Sequence, residues 1–389
     1  MSTAGPELRV AYVITGLGTG GAEMMLEKLI GALPESCRVQ VTSLSDLGDI
    51  GIRLRDRGVD VMALGMSRGL PSLAIMRRLV QRLRDFKPDV VHTWMYHANL
   101  LGGLAAWWLQ RNAVMWGLRQ SNLSPVVNRR TTLWIMRLCA KLSRRVPMRI
   151  ACAGQAARDV HVAAGYDPAR MVVIPNGFEL SRFVPDPAAR LAIRQELGWP
   201  ETAFVVGVIG RFDVQKNHRG FVAAMRQLSQ SRPDVKYLFA GQGVSPHNIE
   251  LVNWLTEAGV IGHCGLLGLR SDVPRIMAAL DVLALPSLGE AFPNVVGEAM
   301  ACGTPCAVTD VGDAADIVGS CGRVVRNGDM AGLAHALDEL LGLPVDQKLV
   351  LSAEAQARIR SRFDIRVVAK TYEHEYQSML RAVQTDRTN

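Results

Sequence analysis

Short apolar runs alternate with amphipathic segments along most of the chain. The runs predict buried strands, and the segments between them predict helices because apolar residues recur every three or four positions. In the first half the predicted strands are residues 10–14, 38–44, 59–64, 90–93, 114–117, 149–153 and 171–174. In the second half they are residues 204–209, 236–240, 264–267, 282–285, 306–309 and 324–325. The clearest predicted helices are residues 22–33, 73–86, 133–142 and 365–381.

Strands that alternate with helices are typical of parallel βαβ units. The pattern stops near residues 180–200 and then restarts, so we expect an α/β protein with two doubly wound domains and a linker in that region. The expected domains are residues 1–182 and 183–364. Ligands of such sheets bind outside the carboxyl ends of the strands. The expected site is therefore the interdomain cleft between two facing Rossmann-like domains.

The composition is that of a globular protein. The 389 residues are 49% hydrophobic and 21% charged, which excludes global disorder. The best apolar run, residues 100–109, is shorter than the roughly 20 residues of a transmembrane helix. Residues 8–14 predict a core strand rather than a signal peptide. None of the seven cysteines forms a C-x-x-C pair, so we expect a soluble protein of a reducing compartment without a structural metal.

Positive charge is concentrated in the first half of the chain. Residues 1–180 contain 23 Lys and Arg against 13 Asp and Glu, whereas residues 181–389 contain 21 and 23. Residues 90–158 include no acidic residue. This asymmetry predicts an anionic partner, which could be a membrane surface, a lipid pyrophosphate or a nucleic acid. A solvated basic face without a partner is the alternative.

A glycine-rich segment follows the first predicted strand. Gly16, Gly18 and Gly21 match the G-x-G-x-x-G pattern of dinucleotide sites. The second strand, residues 38–44, lacks the acidic residue that would bind the ribose of NAD or FAD. We therefore expect the glycines to let a phosphate approach the backbone and the helix start, or to form a tight turn without a ligand.

Two cations follow the first strand of the second domain. Arg211 and Lys216 come soon after Gly210, where the strand ends. A guanidinium binds phosphate oxygens through two hydrogen bonds, and an ammonium acts as a point charge. The pair therefore indicates a pyrophosphate site.

Residues 287–305 carry two glutamates separated by seven residues, Glu290 in a loop and Glu298 in a helix that begins near Pro293. The backbone N–H groups of residues 292–295 are expected to face a phosphate. A carboxylate among apolar helix residues needs a partner, and a ribose diol suits Glu298. A buried ion pair or a helix-surface charge is the alternative. Glu290 is then placed to accept hydrogen bonds from sugar hydroxyls.

These glutamates lie within GEAFPNVVGEAMACGTP, which resembles the E-x7-E signature of retaining glycosyltransferases of family 4, the group 1 type with a GT-B fold. Four further segments resemble that family in the same order along the chain, namely GLGTGGAE at 16–23, VIPNGFE at 173–179, GRFDVQKNH at 210–218 and LLGLRSDVP at 266–274. The match covers nearly the whole chain. The resemblance implies that the second domain binds most of a nucleotide sugar and that residues 365–389 form a helix crossing back to the first domain.

The resemblance also implies roles for individual residues. The implied donor-binding residues are Gly20, Gly21, Arg211, Lys216, Arg270, Glu290, Phe292, Asn294, Val295 and Glu298. Glu298 would hold the ribose, Glu290 the donor sugar, and the two cations the pyrophosphate. Members of the family use no metal or other cofactor, because cations and helix N–H groups stabilise the leaving diphosphate. The acceptor would attack the face from which that diphosphate departs, so the anomeric configuration would be retained.

A histidine after the fourth strand is the remaining catalytic candidate. The family places a histidine near the reacting carbon, and here we expect it to be His97, with a structural role at the helix start as the alternative. His92 is expected to be a core histidine. The expected catalytic residues are His97, Glu290, Arg211 and Lys216. The family's Gly-Gly-x-x-Glu pattern is altered at residues 312–316, so Asp316 has no expected role.

We therefore expect a hexosyltransferase that moves a sugar from a UDP- or GDP-linked donor to a glycan or lipid-linked acceptor in cell-surface polysaccharide biosynthesis. A non-catalytic nucleotide-sugar-binding scaffold and a sugar-nucleotide epimerase are the alternatives. Acidic headgroups are the expected partners of Arg129, Arg130, Arg144 and Arg145. This predicts a peripheral enzyme on the cytoplasmic face of a membrane. No motif predicts nucleic-acid binding.

Overall fold

The computed structural model describes residues 7–67, 72–124 and 128–388, and residues 386–388 as helical backbone only. The chain divides into two compact units, Met1–Gly177 with Ile365–Asn389, and Phe178–Asp364. Each unit contains a parallel sheet with helices on both faces. The predicted α/β class is therefore confirmed.

The first unit is built on a seven-stranded parallel sheet. Its strands are β1 (Leu8–Ile14), β2 (Cys37–Ser43), β3 (Asp60–Ala63), β4 (Val90–Trp94), β5 (Val114–Leu118), β6 (Arg149–Cys152) and β7 (Met171–Val173). Its helices up to this point of the chain are α1 (Gly21–Ala32), α2 (Gly48–Asp56), α3 (Leu73–Phe86), α4 (Tyr96–Trp108), α5 (Arg130–Leu142) and α6 (Gln155–Ala163). The strand order is β3-β2-β1-β4-β5-β6-β7. Every residue of β4 and β5 is buried, as expected for central strands covered by helices on both faces.

The second unit has a six-stranded parallel sheet in the order β10-β9-β8-β11-β12-β13. Its strands are β8 (Val205–Ile209), β9 (Lys236–Ala240), β10 (Cys264–Leu266), β11 (Val282–Leu285), β12 (Cys306–Thr309) and β13 (Gly322–Val325). Its helices are α7 (Pro187–Glu196), α8 (His218–Ser231), α9 (Ile249–Glu257), α10 (Val273–Ala279), α11 (Asn294–Ala301), α12 (Ala314–Val318), α13 (Met330–Gly342) and α14 (Val345–Arg362). Single 3-10 turns occur at Pro168–Arg170, Val214–Lys216 and Ile261–His263.

The last helix, α15 (Ile365–Thr388), belongs to the first unit. Its apolar face recurs every three or four residues and buries Val368, Tyr372, Tyr376 and Met379 against β1 and α1. The hydroxyl of Tyr376 lies 2.9 Å from the hydroxyl of Tyr12. The helix therefore completes one of the two apolar layers of the first unit.

The linker predicted near residues 180–200 is wrong. Helix α7 occupies that stretch and packs against α10 within the second unit. Arg194 of α7 is fully buried and donates hydrogen bonds to Asp281 Oδ2 at 2.9 Å and to the carbonyl of Ala279 at 2.7 Å. The division between the units falls at Gly177–Phe178, a few residues before the expected boundary. All the predicted strands are present, with small differences at their ends.

Candidate active site

Each sheet has a point at which the strand order reverses, and ligands of doubly wound sheets bind outside the carboxyl ends of the strands there. This point lies between β1 and β4 in the first unit and between β8 and β11 in the second. The glycine segment, Lys216 and Glu290 follow β1, β8 and β11, and His97 is the second residue of helix α4, which follows β4. The fold therefore places these sequence candidates at the two switch points.

In the second unit, Lys216 and Glu290 join the loops after β8 and β11. Lys216 Nζ donates to Glu290 Oε1 at 2.5 Å, and Ser287 Oγ donates to the same oxygen at 2.8 Å. The side chains of Lys216 and Glu290 are 20% and 14% exposed. The backbone N–H of Leu288 also donates to the carbonyl of Gln215 at 2.7 Å. The two loops are therefore fixed to each other before any ligand arrives.

Arg211, the other predicted phosphate-binding cation, is 62% exposed. Its Nε lies 3.1 Å from Asp213 Oδ2. The backbone N–H of Gln215 and then the Arg211 guanidinium lower the pKa of Asp213 despite its partial burial. Arg211 is therefore an exposed side chain on the same loop as Lys216, paired with Asp213.

Helix α11 begins at Asn294, directly after Pro293, which has no side-chain group to cap the helix. Glu298 is half-buried within this helix. The ring of Phe292 does not face the loop: it is buried and stacks on Phe178, with 6.2 Å between the ring centroids. The side chain of Phe292 is therefore part of the core, and its expected place among the donor-binding residues depends on its main chain.

Gly312 supports the Glu290 loop, a role that the sequence reasoning missed. It has a φ of 54°, and a Cβ atom at this position would lie 2.5 Å from the carbonyl oxygens of Glu290 and Ala291. A glycine between a strand and a short helix was the available signal, because glycine adopts this backbone without strain and has no Cβ to clash with the two carbonyls. Asp316 lies further along and pairs with Arg362 at 3.1 Å. That ion pair is structural.

Arg270 is held by two carboxylates. Its Nε and Nη2 donate to the two oxygens of Asp272, both at 2.8 Å, and its Nη1 donates to Glu196 Oε1 at 2.5 Å. The hydrogen bonds that Arg270 donates to Asp272 and then to Glu196 raise the pKa of Arg270. The structure thus places this candidate in an ion-pair network that a nucleotide base would have to approach from outside.

In the first unit, the glycine segment follows β1. Gly20 has an extended backbone and precedes α1. The carboxyl group of Glu23 folds back towards it, because a Cβ atom at Gly20 would lie 2.4 Å from Glu23 Oε2. Burial raises the pKa of Glu23. A phosphate that approached Gly20 or Gly21 would therefore meet this carboxyl group, which the sequence analysis did not consider.

His97 is the second residue of α4, and it is half-buried. Burial lowers the pKa of His97, which favours the neutral imidazole. The preceding Met95 has a φ of 72°, a strained conformation for a residue other than glycine. His92 is fully buried, and its Nδ1 lies 2.7 Å from the hydroxyl of Tyr376. His92 is therefore a core histidine, as predicted.

The predicted membrane-contacting cations flank α5. Arg129 and Arg130 lie at its start, Arg144 and Arg145 lie just beyond its end, and all four are exposed. Three further exposed side chains lie along the helix between these arginines, namely Trp134, Arg137 and Lys141. We call this set of seven residues the basic stripe. The spacing of three or four residues puts these side chains on one face. The structure thus arranges the basic residues as a continuous surface.

Two kinds of feature are absent from the described part of the chain. No group of three or more His, Cys, Asp or Glu side chains there could hold a metal ion. No helix among those residues has the length and apolar character needed to span a bilayer.

Comparisons with known proteins match both units. The family model described as Glycosyltransferase Family 4 matches residues 19–182, and the model described as Glycosyl transferases group 1 matches residues 203–342. The chain is 28% identical to the UDP-Gal:alpha-D-GlcNAc-diphosphoundecaprenol alpha-1,3-galactosyltransferase of Escherichia coli, over 60% of this chain and 60% of that enzyme. It is also 28% identical to the lipopolysaccharide core biosynthesis mannosyltransferase LpsB of Rhizobium meliloti, over 83% of this chain and 89% of that enzyme.

A solved structure extends the similarity to the fold. The crystal structure of Anabaena Alr3699/HepE in complex with UDP superposes with a TM-score of 0.84 and 25% identity, over 95% of this chain and 100% of that one. These matches identify the fold of the two units as GT-B and the enzyme class as glycosyltransferase. The chain belongs to the group 1 glycosyltransferases of family 4. The predicted family, fold and enzyme class are confirmed.

Proposed function

We propose that this protein is a retaining, metal-independent glycosyltransferase that moves a hexose from a UDP- or GDP-linked donor to a glycan or lipid-linked acceptor in cell-surface polysaccharide biosynthesis. The observation that carries the proposal is the contact between Lys216 and Glu290 at the switch point of the second unit. A cation and a carboxylate that meet there suit a ligand with a diphosphate and a sugar side by side.

In this proposal, positive charge on the second unit stabilises the leaving diphosphate. Arg211 and Lys216 bind its oxygens, and the backbone N–H groups at the start of α11 add the positive end of a helix. Glu298 accepts hydrogen bonds from the ribose. These groups supply the charge that a metal ion would otherwise supply, and the proposal therefore needs none.

The transfer breaks the bond between the anomeric carbon and the diphosphate oxygen. The acceptor oxygen bonds to the same face of that carbon, and its proton passes to the leaving phosphate. Positive charge develops on the sugar in the transition state, where we propose that Glu290 contacts the sugar and stabilises it. His97 is proposed as a second contact of the transferred sugar, and its lowered pKa keeps it neutral near pH 7.

Two relatives support UDP over GDP as the nucleotide. The HepE structure contains UDP, and the name of the Escherichia coli relative specifies UDP-Gal. That relative's name also specifies a lipid-linked acceptor, an N-acetylglucosaminyl diphosphoundecaprenol. We propose a donor and an acceptor of the same chemical classes for this chain.

We further propose that the basic stripe around α5 contacts acidic headgroups on the cytoplasmic face of a membrane. The stripe is exposed, and no acidic residue occurs between positions 90 and 158 to offset its charge. Exposed Trp134 lies within the stripe, and tryptophan is common where a protein meets the headgroup region. A lipid-linked acceptor would be reached from such a position.

Thermal unfolding with UDP, GDP, ADP and NAD tests the proposal. A ligand at about 100 times its dissociation constant stabilises the folded state by ~2.7 kcal/mol. We expect UDP to raise the midpoint, and Glu298→Ala to abolish the rise because the ribose contact is lost. Glu257→Ala is the control, since Glu257 is exposed on α9. A midpoint raised by NAD alone would contradict the proposal and would indicate that the glycine segment binds a dinucleotide.

A further inference from the structure

Arg119 lies directly after β5, at the carboxyl edge of the first unit's sheet. Strand β5 pairs with β4, and the register places Trp94 opposite Gly117. Strand β4 in turn pairs with β1 at the switch point. Arg119 therefore stands beside the loop that leads to His97.

Three neighbours fix the Arg119 guanidinium. Its Cζ lies 3.7 Å from the centroid of the Trp94 ring. Its Nη1 donates to Asn176 Oδ1 at 3.3 Å, and its Nη2 donates to the hydroxyl of Tyr372 in α15. Trp94 and Tyr372 are fully buried, and Asn176 is buried. Because the guanidinium is already oriented, a ligand that binds it loses little rotamer entropy.

All three of these neighbours are neutral. No ion pair found among the described residues includes Arg119. The chain around it, residues 90–158, contains no acidic residue. A half-buried guanidinium usually has a counter-charge, because removing an unpaired charge from water is costly. The missing counter-charge points to an anionic ligand.

We propose that Arg119 binds a phosphate group of the acceptor. The inference rests on the proposed function, in which the first unit binds the acceptor. Arg119 keeps N–H groups beyond those it donates to Asn176 and Tyr372, and a phosphate suits the planar fork of a guanidinium. A phosphate held there places the rest of the acceptor along the carboxyl edge of β4 and β1, beside His97. A lipid diphosphate and a sugar phosphate share this chemistry.

The competing explanation is that Arg119 has a purely structural role and stabilises the contact between β5 and α15. That role requires the contact with Tyr372 but gives no reason for the missing carboxylate. A binding measurement distinguishes the two explanations. Loss of a structural contact lowers the stability of the protein, whereas loss of an anion site lowers its affinity for pyrophosphate.

The test titrates inorganic pyrophosphate into the full chain by calorimetry at low ionic strength, with UDP in excess. UDP occupies the donor's diphosphate site, so the remaining heat reports on the first unit. We expect Arg119→Gln to weaken pyrophosphate binding about tenfold or more, because a charge-assisted hydrogen bond is lost. Arg77→Gln is the matched control, since it removes the same charge from an exposed position of α3.

A second variant keeps the test decisive if Arg119→Gln does not fold. Arg119→Lys retains the charge but loses the fork, so we expect an intermediate affinity. Pyrophosphate affinity that is the same in wild type and both variants, or no binding by the wild type, would overturn the proposal. Absence of UDP binding would instead contradict the proposed function. The titration would then use Lys216→Ala to weaken the donor site without UDP.

Two further probes distinguish the sources of the phosphate. A short-chain prenyl diphosphate that binds more tightly than a hexose 1-phosphate supports a lipid-linked acceptor, and the reverse order supports a soluble sugar phosphate. In either case Arg119→Gln must weaken the tighter of the two. If it weakens neither, Arg119 is a structural tie and the proposal is wrong.

Discussion

Lys216 and Glu290 lie 74 positions apart in the chain, yet their charged groups are 2.5 Å apart across the loops after β8 and β11. Each side chain therefore holds the other in place in the second unit. Under the proposed function, a diphosphate that arrives at this point would compete with Glu290 for the ammonium of Lys216. The carboxylate would then be freed in part for the sugar, so the pair would couple donor binding to the positioning of Glu290.

Glu290→Gln removes the negative charge while it keeps the size of the side chain. If Glu290 stabilises positive charge on the sugar, turnover should fall about 100-fold or more. UDP affinity should hold or rise, because Lys216 loses its competing carboxylate. UDP affinity is measured by calorimetry and turnover by UDP release from the UDP-sugar that the wild type accepts. Glu257→Gln, on an exposed part of α9, should behave as wild type. If Glu290→Gln keeps full turnover, Glu290 does not stabilise charge on the sugar and serves only to position Lys216.

Gly297 allows the ring of Phe178 to pass beneath α11. A Cβ atom at this position would lie 2.1 Å from Phe178 Cζ, and Phe178 is fully buried. Gly297→Ala should therefore destabilise the protein by roughly 1–3 kcal/mol, although alanine favours helices, because the core must shift. Urea unfolding measures the change. Gly262→Ala, whose Cβ meets no atom within 4 Å, is the control. An unchanged midpoint for Gly297→Ala would show that the core relaxes freely here.

His161 makes stability depend on pH in a defined direction. It is fully buried between the hydroxyl of Tyr96 and the carbonyl of Ala157, both at 2.6 Å, and burial lowers its pKa to about 4. The unfolded chain binds a proton near pH 6.5 and the folded chain does not, so stability falls as the pH drops below about 6.5. At about pH 5 the loss from His161 should be about 2 kcal/mol.

Urea unfolding between about pH 7.5 and about pH 5 checks this effect. His161→Gln should be less stable than wild type at the higher pH but should lose less stability on acidification. His335→Gln, an exposed position on α13, should keep the slope of the wild type. Equal slopes for His161→Gln and wild type would mean that other groups cause the dependence.

Parallel strands were accessible from the sequence because each contains a short apolar run, and the central strands such as β4 and β5 are buried on both faces. The ends of α7 and the boundary between the units could not be predicted from the sequence. Pro187 and Gly198 resemble the composition of a linker, yet Pro187 begins a helix and Gly198 has a φ of 65° just beyond its end. Arg194 also resembles a surface cation in the sequence, and only the fold shows that its guanidinium pairs with Asp281 and donates to the carbonyls of Ala203 and Ala279. Local composition cannot reveal partners that are distant in sequence.

The candidate site also contains residues that the sequence indicated and residues that only the structure revealed. The sequence alone indicated Glu290 and Lys216 from their positions after strands. In the first unit, by contrast, the side chains beside the glycine segment and the strand ends were hidden, because their effect depends on contacts between elements distant in sequence. Glu23, which folds over Gly20, and Arg119, which stacks on Trp94, are examples. Neither residue type nor spacing distinguishes them from ordinary surface charges.

The basic stripe should bind anionic vesicles. Replacing Arg129, Arg130, Arg144 and Arg145 by Gln removes four charges, each contributing about 1 kcal/mol near an acidic leaflet, so binding should weaken roughly a thousandfold. Co-sedimentation with phosphatidylglycerol vesicles measures it, with phosphatidylcholine vesicles for comparison. High salt should weaken the wild type similarly. A variant without Arg77 and Arg226, exposed on α3 and α8, is the control. Wild-type protein that stays in the supernatant with the anionic vesicles would contradict the membrane proposal.

The return of α15 to the first unit has a consequence for biosynthesis. A ribosome makes residues 178–364 as one uninterrupted stretch, so the second unit can complete its fold while the first still lacks residues 365–388. Until Tyr376 emerges, the buried ring of His92 has no hydroxyl to bind and one apolar layer of the sheet faces water. The first unit to be translated is thus the last to mature. A chain that ends before Ile365 would therefore leave that apolar layer of its N-terminal unit uncovered.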